Sequence, residues 1–260
     1  MSSLTISLIQ SSLHWEDKTA NLSMFEEKIR SIAEKTEIIL LPEMFSTGFS
    51  MEPARLGENM NGPTVSWMKK MAAEKKAVLA GSIIAEEEGK YFNRLVWALP
   101  TGETGWYDKR HLFAFAGEDK CYKAGKKRFI ASVNGWKINV LVCYDLRFPV
   151  WARQSGSGDE YDLLICVANW PERRIHAWKT LLVARAIENQ CFVAGLNRVG
   201  SDGNQIEYNG DSMIVDPLGQ VLYQSEREEV YTFTLHKQKL TEVRERFPFL
   251  RDADHFLIET

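Results

Sequence analysis

Short apolar runs are the feature that most constrains the fold of this chain. The runs at 38–41, 140–142 and 163–168 are too short for buried helices and predict buried strands. Between an alternating strand at Leu4–Gln10 and the run at 38–41, apolar residues recur at helical spacing: Leu22, Phe25, Ile29 and Ile32. A strand, a helix and a strand in this order predict an α/β fold, in which residues just past the carboxyl ends of strands line the site.

A cysteine directly follows one of these predicted strands. Cys143 comes directly after the run at 140–142, and Pro149 can begin a helix because proline fits the first helical turn. Cys143 is therefore expected on a strand-to-helix elbow, where a nucleophile projects from the sheet edge and the N–H of Tyr144 can bind an oxyanion. The alternative is a small hydrophobic residue in the core, a common setting for a free cysteine.

Two charged residues occupy similar positions beyond other predicted strands. Glu43 follows the run at 38–41, and Lys109 follows the strand predicted at 104–108. With Cys143 they form a coherent set for acyl transfer, because a nearby ammonium favours the thiolate and a buried glutamate can carry the thiol proton to a leaving amine. The lysine can also stabilise an oxyanion, and this chemistry needs no metal or other cofactor. Taken separately, Glu43 could equally be a loop glutamate, and Lys109 could belong to a solvated edge.

Composition argues against several other classes of protein. Apolar residues make up 45% of the chain and charged residues 26%, and the net charge of -3 argues against a nucleic-acid partner. Without a bilayer-spanning apolar run or a secretory signal, a cytoplasmic protein with no membrane partner is expected. The cysteines form no C-x-x-C pair or Cys/His cluster, so neither a zinc site nor a disulfide framework is predicted for Cys121, Cys143, Cys166 and Cys191.

The remaining patterns extend the α/β prediction over the rest of the chain. A hairpin over 129–142 is predicted to turn at Asn134-Gly135, and helices are predicted from Pro63 and over 175–189. A last helix over 239–247 leads into an aromatic tail. Because no repeat, low-complexity tract or Gly/Ser linker interrupts the sequence, residues 1–260 are predicted to form a single domain.

Three motifs of this chain resemble those of the nitrilase superfamily of carbon–nitrogen hydrolases. They lie at Leu41–Phe45, Tyr107–Phe113 and Val142–Pro149, in the same order as in that superfamily. The resemblance implies an enzyme in which Glu43 is the base, Lys109 the electrophilic lysine and Cys143 the nucleophile, with Glu118 beside the lysine. It also implies a four-layer αββα sandwich that commonly pairs into a homodimer, with the helix and tail at 237–260 near the interface.

Within the superfamily, the stretch Ala168–Pro171 followed by Arg173 is most similar to the bacterial ω-amidase branch. That branch hydrolyses the terminal amide of small 2-oxo acids such as 2-oxoglutaramate to the acid and ammonia. The residues expected to line the substrate pocket are Phe45, Phe113, Trp170 and Arg173. Since a guanidinium binds a carboxylate through two hydrogen bonds, Arg173 or Arg174 is expected to bind the far end of the substrate.

Other readings of the same residues stay open. N-carbamoyl amino acid hydrolases, aliphatic amidases and nitrilases use the same three catalytic residues, so those residues do not identify the substrate. A papain-like enzyme would need His111 or His176 beside Cys143, which would leave the other two motifs unexplained. No G-x-S-x-G motif supports a serine hydrolase. A catalytically inactive scaffold would be expected to have lost one of the three residues, and all are present.

Overall fold

The computed structural model describes residues 2–154 and 161–259. The first half of the chain contains one long hairpin and several strand–helix units. Its elements are β1 (Ser3–Gln10), α1 (Lys18–Ser31), β2 (Ile38–Leu40), α2 (Pro53–Leu56), α3 (Pro63–Lys75), β3 (Val78–Glu87), β4 (Lys90–Ala98), β5 (Thr104–Asp108) and α4 (Glu118–Cys121).

The second half begins with the hairpin predicted at Asn134-Gly135, and both turn residues have the positive φ angles that such a turn requires. Its strands are β6 (Ile130–Val133), β7 (Trp136–Val142), β8 (Leu163–Val167), β9 (Phe192–Leu196), β10 (Val199–Ser201), β11 (Glu207–Asn209), β12 (Ser212–Val215), β13 (Val221–Ser225) and β14 (Glu229–His236). Its helices are α5 (Pro149–Ala152), α6 (Ile175–Asn189) and α7 (Lys237–Arg246). Short 3₁₀ helices cover Ala114–Ala116, Cys143–Arg147, Glu172–Arg174 and Phe249–Asp252.

The strands form two six-stranded sheets with the same internal pattern. The first sheet has the order β14-β1-β2-β3-β4-β5, and the second, taken from its opposite edge, has the order β6-β7-β8-β9-β12-β13. In each sheet the second, third and fourth strands are parallel to one another, and the outer pairings are antiparallel. The β10–β11 hairpin forms a separate two-stranded sheet, which the sequence analysis did not predict.

The two sheets pack face to face and are covered by helices on their outer faces. The largest core joins one face of the first sheet, including Leu8 and Leu40, to the second sheet, including Val140 and Ile165. On the outer side of the first sheet, α1 and α3 bury a second core. On the outer side of the second sheet, α6 packs against β9 and β12. The order of layers is therefore helix, sheet, sheet, helix, which confirms the expected αββα sandwich.

The last helix is fixed to the second half of its own chain. Lys237 donates to the Asp162 carboxylate at 2.8 Å and to the carbonyl of Gly135 at 2.6 Å. Arg244 donates to the carbonyls of Tyr161 and Gln190, at 2.6 and 3.0 Å. No helix in the described part of the chain combines the length and the hydropathy that a membrane span requires.

Candidate active site

The site lies where the carboxyl ends of strands from both sheets meet. Glu43 follows β2 and Lys109 follows β5 in the first sheet, whereas Cys143 follows β7 and Asn169 follows β8 in the second. All four come together, since Glu43 hydrogen-bonds to both Lys109 and Asn169, and the Cys143 Sγ lies 3.9 Å from the Asn169 carbonyl.

Cys143 lies on a sharp turn between β7 and the 3₁₀ helix that it begins. Its φ angle of 47° is in the left-handed region, which is uncommon for a residue with a side chain and is often found at functional sites. Burial of the thiol raises its pKa well above the ordinary value, and the negative charge of Glu43 adds to that effect. The resting group is therefore a thiol, and a nucleophilic role requires that a base accept its proton.

The buried carboxylate of Asp145 holds this turn in place. One of its oxygens accepts hydrogen bonds from the Val142 N–H, at 3.1 Å, and from the Tyr107 hydroxyl, at 2.8 Å. The other accepts the backbone N–H of His111 at 2.8 Å and lies 2.9 Å from the His111 Nδ1. Asp145 thus joins the segment that carries Lys109 to the segment that carries Cys143, and His111 supports this connection.

One lysine and two glutamates form a fully buried charged cluster. The Lys109 Nζ lies 2.9 Å from Glu43 Oε1, and 3.0 and 2.9 Å from the two carboxylate oxygens of Glu118. Burial alone would lower the pKa of Lys109, but the charges of Glu118 and Glu43 outweigh it and hold that pKa well above the ordinary value. Burial raises the pKa of Glu118, and Lys109 opposes this shift. Lys109 is therefore a cation at neutral pH.

Two asparagines that the sequence analysis missed organise the same cluster. Asn93, on β4, donates to Glu43 at 2.8 Å and to Glu118 at 3.0 Å. Asn169 donates its backbone N–H to Glu43 Oε2 and its side-chain amide to the Glu43 carbonyl, both at 2.8 Å. For Asn169, the available signal was a polar residue soon after an apolar strand. Asn93 is a polar residue within β4, which is a weaker signal.

Lys109, Cys143 and Asn169 border a cavity of about 540 Å³, large enough for a small organic substrate. The cavity wall combines apolar and aromatic side chains with a few charged ones. The aromatic lining residues are Trp15, Phe49, Phe113, Tyr144, Trp170 and Tyr208, and Cys143 lines the same cavity. The charged lining residues are Lys109, Arg147, Arg173, Arg174, Glu16, Glu52 and Asp202.

Three of the four expected pocket residues line this cavity: Phe113, Trp170 and Arg173. The expectation for Phe45 is wrong. Phe45 is fully buried in the core between the first sheet and its helices, with ring centroids 5.6 Å from Phe25 and 5.9 Å from Trp67. The aromatic residue of this loop that does reach the cavity is Phe49.

The cavity wall carries more arginines than the sequence analysis expected. Arg147 lies 4.8 Å above the Trp170 ring, and Arg174 lies 5.1 Å above the Phe113 ring. Burial, together with the charge of Arg173, lowers the pKa of Arg174. Within residues 2–154 and 161–259, none of these three arginines forms an ion pair with a carboxylate. Their charges are therefore available to an anionic ligand. Over the same residues, no three His, Cys, Asp or Glu side chains cluster as metal ligands would.

Comparison with known proteins identifies the family. The carbon-nitrogen hydrolase family model matches residues 5–245. Omega-amidase YafV of Escherichia coli (strain K12) is 44% identical over 258 residues, which cover 98% of this chain and 99% of that protein. The 2-oxoglutaramate amidase of Bacillus subtilis (strain 168) is 34% identical over 252 residues, which cover 95% and 96%.

A solved structure agrees with these sequence matches. The CN-hydrolase superfamily protein XC1258 from Xanthomonas campestris, whose structure has an arsenic adduct in the active site, is 46% identical to this chain. The two structures superimpose with a TM-score of 0.97 over 100% of both chains. The chain described here therefore belongs to the carbon–nitrogen hydrolase family.

Proposed function

We propose that this protein is an ω-amidase, which hydrolyses the terminal amide of a small 2-oxo acid and releases ammonia through a cysteine thioester. The observation that carries the proposal is the meeting of Cys143, Glu43 and Lys109 beside a cavity whose wall holds arginines that pair with no carboxylate in the described part of the chain. Two relatives that match nearly the whole chain, the E. coli omega-amidase and the B. subtilis 2-oxoglutaramate amidase, support the same activity.

In the acylation half of the reaction, Glu43 takes the proton of the Cys143 thiol as the sulfur bonds to the amide carbon. The carbonyl oxygen becomes an oxyanion beside the Lys109 ammonium. Lys109 stabilises this oxyanion through its charge, since its N–H groups face Glu43 and Glu118. The N–H of Tyr144 can donate a hydrogen bond to the oxyanion, because the first N–H groups of a helix have no partner within it. When the carbon–nitrogen bond breaks, Glu43 passes the proton to the leaving nitrogen, and ammonia departs from the thioester.

In the deacylation half, Glu43 is again a carboxylate and takes a proton from a water molecule. The resulting hydroxide attacks the thioester carbon, and Lys109 with the Tyr144 N–H stabilises the second oxyanion. The carbon–sulfur bond then breaks, and the proton on Glu43 returns to the Cys143 sulfur. The products are the carboxylic acid and the original thiol.

The arginines of the cavity wall support a substrate that carries a carboxylate. Arg174 is better suited to this role than Arg173, because Arg174 is half-buried whereas Arg173 is exposed. Arg147, also half-buried, follows Cys143 in the same short helix. A guanidinium that is partly removed from water and has no protein carboxylate binds an anion strongly, through two parallel hydrogen bonds.

The test compares 2-oxoglutaramate with pentanamide, an uncharged amide of equal length, by ammonia release. Loss of a charge-assisted hydrogen bond costs about 1.5–3 kcal/mol, so kcat/KM should favour 2-oxoglutaramate by about ten- to a hundredfold. Arg174→Ala should reduce that preference, mainly by raising KM, and Arg173→Ala is the matched control with a smaller effect. Cys143→Ala should be inactive, whereas Cys121→Ser should retain activity.

Equal cleavage of pentanamide would contradict the proposed substrate class. Enzymes that act on N-carbamoyl amino acids and nitriles use the same three catalytic residues, so these residues do not separate them from an ω-amidase. The same assay with those substrates does separate them, because it measures substrate preference. We further propose that the protein is a cytoplasmic homodimer, with the tail at 237–260 close to the interface.

A further inference from the structure

Asn93 occupies the centre of the charged cluster and uses every polar atom of its side chain. It is fully buried on β4, and its two amide hydrogens are directed to Glu43 Oε1, at 2.8 Å, and to Glu118 Oε1, at 3.0 Å. Its side-chain oxygen accepts the hydroxyl of Ser82 at 2.8 Å. In addition, its backbone carbonyl accepts the N–H of Lys109 at 2.9 Å.

These contacts fix the orientation of the Asn93 amide. If the amide were flipped, its oxygen would face two carboxylate oxygens, an arrangement of acceptors only, so the Nδ2 must face the glutamates. Ser82 prevents rotation from the other side, because its hydroxyl donates to Asn93 and accepts the N–H of Met44, also at 2.8 Å. Met44 directly follows Glu43, so the same chain of hydrogen bonds holds the Glu43 backbone and the Glu43 carboxylate.

The charges of the cluster require such a donor. Lys109 has three N–H bonds, and they face three carboxylate oxygens, one from Glu43 and two from Glu118. Two buried carboxylates therefore share one cation, and their like charges repel each other. The neutral Asn93 amide donates one hydrogen bond to each glutamate without adding charge, which compensates part of this repulsion.

We propose that Asn93, oriented by Ser82, is a positioning residue that keeps Glu43 directed at Cys143 and separates the two glutamates beside Lys109. It acts through its hydrogen bond to the Glu43 carboxylate and itself neither transfers a proton nor binds the substrate. This role rests on the proposed cysteine mechanism but does not depend on which amide is the substrate.

The decisive experiment exchanges the amide and a carboxylate. Asn93→Asp has nearly the same shape but replaces two donors with acceptors and adds a third carboxylate. We expect kcat to fall about a hundredfold with little change in KM, as is typical when transition-state contacts are lost. In the double variant Asn93→Asp with Glu118→Gln, one amide and two carboxylates again surround Lys109, and kcat should recover about tenfold relative to Asn93→Asp alone. A residue with a purely structural role would give a double variant no better than the single one, and that result would overturn the proposal.

Alkylation of Cys143 by iodoacetamide provides a readout that needs no substrate. If Asn93 directs Glu43, alkylation of Cys143 should be slower in Asn93→Asp and should recover in the double variant. Should the wild-type protein fail to hydrolyse any ω-amide while this pattern holds, the substrate assignment fails and the role of Asn93 stands. Unchanged alkylation in Asn93→Asp would mean that Asn93 does not act through Glu43.

Two further variants control for folding. Asn139 is another buried asparagine, on β7, and Asn139→Asp also buries a new charge. It should lower the melting temperature without the hundredfold loss in kcat. If Asn93→Asp does not fold, Ser82→Ala leaves the amide in place and frees it to rotate, so kcat should fall about three- to tenfold at constant KM. An unchanged kcat in Ser82→Ala would contradict the proposal.

Discussion

At the scale of single residues, two glutamates contact the same lysine but have different surroundings. Glu43 also accepts the backbone N–H of Asn169, and its charge acts on the thiol of Cys143. Glu118 instead accepts the backbone N–H of Phe113 at 2.6 Å, on the side of the cluster formed by the loop after β5. We therefore propose that Glu43 exchanges a proton with the sulfur and that Glu118 keeps Lys109 charged and in position.

Glu118→Gln tests this division, since it retains the shape of the side chain and removes its charge. Because the charge of Glu118 is the largest of the effects that oppose burial at Lys109, its loss should lower the pKa of Lys109. Lys109 would then lose its proton at lower pH, so the alkaline limb of the kcat profile should move to lower pH. We expect Glu118→Gln to reduce kcat by about ten- to a hundredfold, and Glu43→Gln to reduce it more, since it removes the proton carrier.

The measurement is kcat between pH 6 and about 10 for both variants, with circular dichroism to verify that each is folded. Equal losses in the two variants, or an alkaline limb that stays where it is in the wild-type protein, would contradict the assigned roles.

At the scale of elements, the catalytic geometry depends on how the end of β5 is joined to the end of β7. These strands belong to different sheets, so no backbone ladder sets the distance between Lys109 and Cys143. The Tyr107 hydroxyl, itself buried, donates to Asp145 at 2.8 Å and accepts the Trp151 Nε1–H at 2.9 Å. Hydrogen bonds through the Tyr107 and Asp145 side chains therefore set the distance between these strand ends, as strand pairing sets distances within each sheet.

Tyr107→Phe should weaken this connection without creating a cavity. It leaves Asp145 short of one donor and the Trp151 N–H without an acceptor, so the free energy of unfolding should fall by about 1–3 kcal/mol. Because the turn that carries Cys143 is then less firmly held, kcat should fall about five- to tenfold.

Tyr161→Phe is the matched control, since Tyr161 is also buried and donates its hydroxyl to a backbone carbonyl, that of Ala152, away from the cavity. It should reduce stability and leave kcat unchanged. Denaturant unfolding and steady-state kinetics on the two variants give both numbers. A loss of kcat in Tyr161→Phe as large as in Tyr107→Phe would show that stability alone explains the effect.

The sequence predicted those site residues whose position depends on strand ends, and it failed where the position depends on packing. Apolar runs indicate where β2 and β7 end, so they indicate the positions of Glu43 and Cys143. Phe45 was misjudged because a position after a strand end does not say which way a side chain faces. Met44 adopts a φ of 44°, and Phe45 packs into the core against Phe25. Asn93 lies within a strand, where a polar residue gives no sign of its partners. Those partners come from segments far apart in the chain.

At the scale of the whole molecule, the shared pattern of the two sheets explains why the site lies between them. In each sheet the third strand is flanked by parallel neighbours, and these strands are β2 and β8. Glu43 and Asn169 follow them, and they hydrogen-bond to each other across the two sheets. Glu43, the proposed base, is therefore held by corresponding strands of both sheets, and loss of the packing between the sheets would separate it from the thiol.

The segment after α7 exposes large apolar side chains. Although α7 is tied to its own subunit, Phe249 and Leu257 in the segment after it are 63% and 97% exposed. Large apolar side chains gain about 1.5–3 kcal/mol each when they are removed from water, so this segment favours a partner surface.

We expect sedimentation velocity at micromolar concentration to give about twice the chain mass of 29.8 kDa. Phe249→Asp combined with Leu257→Asp should shift the protein toward the monomer. Trp106→Ser, at an exposed site on β5, should leave the dimer intact. A wild-type protein that sediments only as a monomer would show that the tail serves no interface.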